Sequence, residues 1–210
     1  MNEILGLSFL AGIFALDVTA FGQVMISRPI VCGPVFGYIL GDLVSGLWIS
    51  VIIELIWINA IPMGTSIPLD VTAVSILSCV WGIKFLGGDK SAVIFAMALA
   101  VPLGFLFRYF DIKLRFFNSG IAAWIKEGII RGRESTVNYG IYLGLFLFFI
   151  KAFIFYFIFI CLGQAFLKNI FSFIPYQFKA GLGFSWYLLP IVGFGISFFS
   201  SSLGKLGCFK

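Results

Sequence analysis

The charged and amide side chains between Asp17 and Asp70 are Asp17, Gln23, Arg28, Asp42, Glu54, Asn59 and Asp70. They are set in a stretch otherwise apolar enough to sit in lipid. A charge near the centre of a bilayer costs about 2.5–3.5 kcal/mol even on the mild insertion scale. Carboxylates in such a setting therefore need partners, and a polar site enclosed by the membrane bundle is one way to supply them. Three chemistries fit. Carboxylates and amides hydrogen-bond the hydroxyls of a neutral polyol or sugar, and Trp57 offers a ring face three residues from Glu54. Intramembrane acids also carry protons or cations in coupled transporters. Finally, the same groups can be structural, with Arg28 paired to Asp17 or Asp42 and with Asp42 and Asp70 capping helices at Gly/Pro breaks. Glu54 lies inside an apolar segment with no cation close in sequence, so a functional role leads there.

The elements that position these residues belong to a membrane protein. Of 210 residues, 61% are hydrophobic, 27 are Phe and only 11% are charged, which leaves too little polar surface to cover a water-soluble fold. Composition thus implies an all-α integral membrane protein, a polytopic helical bundle. Its first apolar segment begins at Ile4 without a basic region before it or a small-residue cleavage site, and reads as a retained span rather than a signal peptide.

There is no histidine, which excludes a phosphohistidine carrier, a His-ligated metal and a His general base on this chain. Cys32, Cys79, Cys161 and Cys208 show no CxxC spacing; the first three sit in apolar runs and read as small buried hydrophobes. No metal or cofactor is expected. The net charge of +5 is concentrated in one loop and speaks to topology, not to nucleic acid.

Along the chain, Ile4–Ala20 forms a first segment. Arg28-Pro29 breaks it, because proline disfavours helix at the residue before it. Pro29–Leu40 is too short to cross about 30 Å of hydrocarbon and reads as a half-helix or re-entrant arm. Gly33, Gly37, Gly41 and Ser45 recur every four residues, a small-residue ridge for close helix packing. Gly41-Asp42 punctuates the run. Leu43–Ile61 is long enough to span, and the loop from Pro62 to Pro68, containing Gly64, leads to Asp70 at an N-cap position. Such a loop at membrane depth must face a cavity. Val71–Leu86 and Ser91–Phe107 follow, the latter with Pro102.

Residues 108–138 hold Arg108, Lys113, Arg115, Lys126, Arg131 and Arg133 against Asp111, Glu127 and Glu134. They read as an interfacial amphipathic helix in a cytoplasmic loop by the positive-inside rule. Tyr139–Phe166 is a Phe-rich span in which Lys151 either snorkels or pairs with a carboxylate. Lys168–Lys179 reads as a loop, and Ala180–Leu203 as a last span broken at Pro190. The expectation is a single membrane domain over residues 1–210, with five or six spans plus re-entrant pieces. Interrupted segments at Pro29–Asp42 and Gly181–Gly195 hint at an inverted repeat with a midplane site.

The ordered set Gln23…Arg28-Pro29-Ile30-Val31, Gly33-Pro34, Gly37, Gly41-Asp42, Gly46, Glu54-Leu55 and Pro62-Met63-Gly64…Pro68-Leu69-Asp70 resembles the IIC membrane subunit of mannose/fructose/sorbose-type phosphotransferase systems. The likeness covers residues 10–82 well and Gly181–Phe194 more weakly. It implies a substrate-path half at 10–82 and C-terminal spans at 139–205. It implies a sugar permease of the bacterial inner membrane that is not itself phosphorylated. Its partners would be a IID membrane subunit, in an oligomer of IIC–IID pairs, and cytoplasmic IIA and IIB subunits, with IIB phosphorylating a hexose or amino sugar. By this resemblance Gln23, Glu54 and Asn59 are sugar contacts, and Asp17 and Asp70 contact the sugar or organise the site. Arg28, Asp42, Gly41 and Gly64 stabilise the broken helices. Leu69 stands where the family often has a second proline. The chain also stops sooner after Gly193 than the family pattern implies. The competing reading is an ion-coupled secondary transporter of a small polar solute.

Overall fold

A computed structural model describes residues 1–19, 22, 24–58, 69–131 and 135–207, and every regular element among them is helical. Seven α-helices follow in order: α1 (Asn2–Thr19), α2 (Pro29–Ile39), α3 (Leu43–Trp57), α4 (Val71–Cys79), α5 (Lys90–Ile130), α6 (Ser135–Phe173) and α7 (Tyr176–Gly207). A π-helical turn, Val80–Phe85, continues α4.

The N-terminal half is made of short pieces. α2 begins with Pro29 at its first position, where the missing N–H costs nothing. It ends in a Schellman turn: Gly41 at φ +86° donates to the Tyr38 carbonyl at 3.1 Å, and the Asp42 N–H to the Gly37 carbonyl at 2.9 Å. Asp42 then starts α3, its side chain accepting from the Ser45 N–H at 3.0 Å. The 15-residue α3 is about 22 Å long, short of the roughly 30 Å of hydrocarbon. The full span expected over Leu43–Ile61 is therefore a shorter helix ending at Trp57, with 59–61 outside the described residues.

The expected four-residue ridge is divided by this turn. Gly33 and Gly37 face Gly46 and Ser50 of α3, and a Cβ on Gly46 would lie 2.7 Å from the Gly33 carbonyl oxygen. Gly41 has open space around it and serves the turn instead. Two antiparallel helices thus meet backbone to backbone, which only small residues permit.

The C-terminal half is made of long rods. α5, α6 and the Tyr176–Phe199 part of α7 are the helices long and apolar enough to cross a bilayer among the described residues. Residues 108–130, expected as a separate amphipathic helix, continue α5 without a break, and α5 runs on through Pro102. The expected loop at Lys168–Lys179 is mostly helix, since α6 reaches Phe173 and α7 starts at Tyr176. α7 also passes through Pro190 and Gly181–Gly195 uninterrupted, so the broken hairpin belongs to the N-terminal half. Proline removes one helical hydrogen bond. In long apolar helices neighbouring groups and local adjustments re-satisfy the freed carbonyl, which is why Pro102 and Pro190 do not end theirs.

The core lies where α4 is enclosed by α1, α2, α3, α5 and α6. Val74, Ile76, Leu77, Cys79 and Val80 are fully buried there, with Ile49, Ile52 and Ile53 of α3 and Tyr156 and Ile160 of α6. The π-helical turn is tied sideways to α6, where the Trp81 indole N–H donates to the Phe159 carbonyl at 3.2 Å beside Gly163. Cys32, Cys79 and Cys161 are free thiols, the first two buried.

Candidate sugar-path junction

Several breaks in the N-terminal half converge on one junction. Asp17, in the last turn of α1, accepts from the Val24 N–H at 2.8 Å, the Ser27 N–H at 3.0 Å and the Ser27 hydroxyl at 3.0 Å. These bonds draw the chain after α1 back against the helix. The bend includes Met25 at φ +64°, a conformation that costs an L-residue roughly 1–2 kcal/mol. Charge-assisted bonds to Asp17 offset that cost.

The same bend is held from the other side. Thr72, in the first turn of α4, donates its hydroxyl to the Ser27 carbonyl at 2.7 Å. Asp70 caps α4 by accepting from the Ala73 N–H at 2.8 Å. Ser27 is therefore the point where α1, α2 and α4 are joined. Neither Ser27 nor Thr72 stands out in the sequence, because hydroxyls are common in membrane helices and these bonds span ten and 45 residues.

Arg28, immediately before α2, reaches α3: its Nη1 lies 3.4 Å from Glu54 Oε1. The structural alternative paired Arg28 with Asp17 or Asp42, but Asp17 is engaged by the Ser27 bend and Asp42 by its own cap. Glu54 does have a cation, brought by the chain reversal between α2 and α3 and not by sequence proximity. Its side chain is 16% exposed against 47% for Arg28, and Glu54 Oε2 is buried with no hydrogen-bond partner among the described residues. One carboxylate oxygen is thus free to accept a donor.

Of the residues expected at a site, Asp17, Arg28, Glu54 and Asp70 are brought to this junction. Gly41 and Asp42 lie at the opposite end of the α2–α3 hairpin, where they build its turn. Gln23, Asn59 and Gly64 lie outside the described residues. No cluster of metal-ligating side chains is present among the described residues.

A second polar cluster, made by α5 and α6, gives Lys151 the carboxylate partner that was one of its two expected roles. Lys151 Nζ bonds Asp111 Oδ1 at 2.9 Å and sits 3.8 Å from the centre of the Phe107 ring. Arg115 Nε takes the other Asp111 oxygen at 3.1 Å. Lys151 therefore pairs with a carboxylate instead of snorkelling. The signal was Asp111, read as part of a solvated loop; forty residues separate it from Lys151.

The family model described as EII-Sor, PTS system sorbose-specific IIC component, matches residues 2–200. A relative from Escherichia coli (strain K12), the putative N-acetylgalactosamine permease IIC component 2, is 32% identical over 106 residues, covering 45% of this chain and 80% of its own. Among solved structures, one reported as a membrane protein superposes with TM-score 0.75 at 20% identity, over 93% of this chain and 78% of its own. The mannose transporter ManYZ, solved in complex with microcin E492, superposes with TM-score 0.70 at 20% identity, over all of this chain and 88% of its own. The structural likenesses show a shared membrane fold, and the match over 2–200 carries the assignment: the chain belongs to the sorbose-specific IIC family, the mannose-type permease components of the phosphotransferase system.

Proposed function

We propose that the chain carries a hexose or amino sugar across the bacterial inner membrane through the junction of Asp17, Arg28, Glu54 and Asp70, within a substrate-path half at residues 10–82. Glu54 is the principal contact, with Gln23 and Asn59 on the adjoining segments. The observation that supports this is the buried Oε2 of Glu54, which has no partner among the described residues, beside a loosely bonded Arg28. Such a carboxylate accepts strong hydrogen bonds from sugar hydroxyls. Asp17 and Asp70 hold the surrounding breaks in place through the backbone bonds described above. Arg28 offsets the charge of Glu54, and Asp42, with Gly41, fixes the far turn.

In this reading the chain is not phosphorylated and catalyses nothing. A IID subunit completes the membrane path, in line with the fold shared with the mannose transporter ManYZ. A cytoplasmic IIB subunit, supplied by IIA, phosphorylates the sugar, and the basic stretch within 108–138 faces that side. Trapping the sugar as its phosphate supplies the driving force, so no ion gradient is needed.

The test is uptake of labelled mannose, sorbose and N-acetylgalactosamine in cells carrying the full set of subunits. Glu54→Gln is expected to abolish uptake while the protein still inserts. Normal uptake by that variant, or uptake that responds to an uncoupler and not to loss of phosphoenolpyruvate, overturns the reading.

A further inference from the structure

Tyr156 of α6 is fully buried, and its hydroxyl finds no hydrogen-bond partner among the described residues. Its neighbours are rings: Phe107 lies 5.6 Å away and Phe155 5.9 Å away, centre to centre. A phenylalanine would fill the same space without a polar atom to satisfy, and Phe155 and Phe157 flank the position in the sequence. A buried hydroxyl without a partner lowers the stability of the conformation that holds it. The hydroxyl therefore has a cost here and no structural return.

Its location connects it to the junction. Gly104 of α5 packs on the start of α4; a Cβ there would lie 3.1 Å from the Asp70 carbonyl oxygen and against Leu69 and Val74. Phe107, three residues on and on the same face of α5, packs on Tyr156. Tyr156 thus packs, through Phe107, on the stretch of α5 that covers the capped end of α4.

We propose that Tyr156 is a further solute-binding residue, whose hydroxyl bonds one hydroxyl of the transported sugar when α4 moves relative to α5 and α6. This rests on the function proposed above. It adds a contact from the C-terminal half to a site otherwise drawn from the N-terminal half, and it gives the site a neutral group that can both donate and accept. Such a group discriminates among sugars that differ in one hydroxyl, because a sugar lacking it leaves the phenol unpaired.

The experiment compares Tyr156→Phe with the unsubstituted protein, in membranes that also carry the partner subunits. The probes are mannose, sorbose and N-acetylgalactosamine, followed by the monodeoxy forms of whichever is taken up fastest. Protein level and melting midpoint are expected to be equal or higher in Tyr156→Phe. Half-saturation for the parent sugar is expected to rise on the order of tenfold, the worth of about one hydrogen bond, with one deoxy form showing no difference between the two proteins. Equal half-saturation for every sugar overturns the proposal, as does a variant that fails to accumulate, since the hydroxyl is then structural. Should Glu54→Gln abolish uptake while Tyr156→Phe changes nothing, only this inference fails. Intact uptake in Glu54→Gln, or no uptake by the unsubstituted protein, fails the underlying function instead.

Discussion

Arg28 and Glu54 are joined across the α2–α3 hairpin by a 3.4 Å contact that leaves Glu54 Oε2 without a partner among the described residues. The pair is half open, because Arg28 is largely exposed while Glu54 is not. Solvent screening then limits what the contact contributes, to about 1 kcal/mol. Arg28→Ala and Glu54→Gln are expected to couple by about that much in a double-mutant cycle of melting midpoints. Uptake should respond far more strongly than stability to Glu54→Gln, and a stability loss that accounts for the whole uptake defect contradicts the assigned role.

Asp17 and Met25 form a second testable pair. Asp17→Asn keeps one oxygen for three donors and is expected to cost about 2 kcal/mol, measured by thermal unfolding in detergent. Met25→Gly removes the strain of the positive φ and is expected to stabilise by about 1 kcal/mol, restoring part of the loss when combined with Asp17→Asn.

The caps separate structure from function. Asp42→Ala and Asp70→Ala are each expected to cost about 1 kcal/mol of stability. Asp42→Asn retains a capping oxygen and should leave uptake near normal. Asp70→Asn, with equal capping ability, should lower uptake if the carboxylate charge at the junction matters; equal uptake in the two variants would confine Asp70 to capping.

Close packing of α2 on α3 predicts a graded glycine series. Gly46→Ala places a Cβ against the backbone of both Gly33 and Gly37 and is expected to cost about 1–3 kcal/mol. Gly181→Ala and Gly195→Ala on α7 meet nothing within 4 Å and should be neutral by the same melting assay.

The Lys151–Asp111 bridge predicts an asymmetry. Asp111→Asn strands the Lys151 ammonium among Phe rings and is expected to destabilise by about 3–5 kcal/mol. Lys151→Met leaves Asp111 bonded to Arg115 and should cost less. The double variant is expected to be more stable than Asp111→Asn alone, measured as accumulation in membranes and melting midpoint.

Helix type, the membrane setting, the break before Pro29, the turn at Gly41-Asp42 and the cap at Asp70 were legible from residue types and spacing. Each rests on local chemistry: proline geometry, left-handed glycine, a carboxylate two or three residues before a free N–H. The long helices were less legible. Pro102, Pro190 and the polar residues from Arg108 to Arg115 look like punctuation in a linear reading. Rods as long as α5 and α7 run through them because neighbouring groups, and for Asp111 the charge partner on α6, satisfy what the sequence seems to leave open.

The sequence by itself determined that this chain is an apolar helical bundle with acids at its breaks, because composition and local backbone preference act over a few residues. Tertiary structure alone decided who meets whom. Ser27 joins Asp17 to Thr72, Arg28 turns to Glu54, Lys151 finds Asp111, and Tyr156 of α6 is sealed against Phe107 of α5. Those partners are ten to 45 residues apart along the chain or on separate helices. In a medium that leaves charged and polar groups little else to bind, which helices pack side by side selects the pairing.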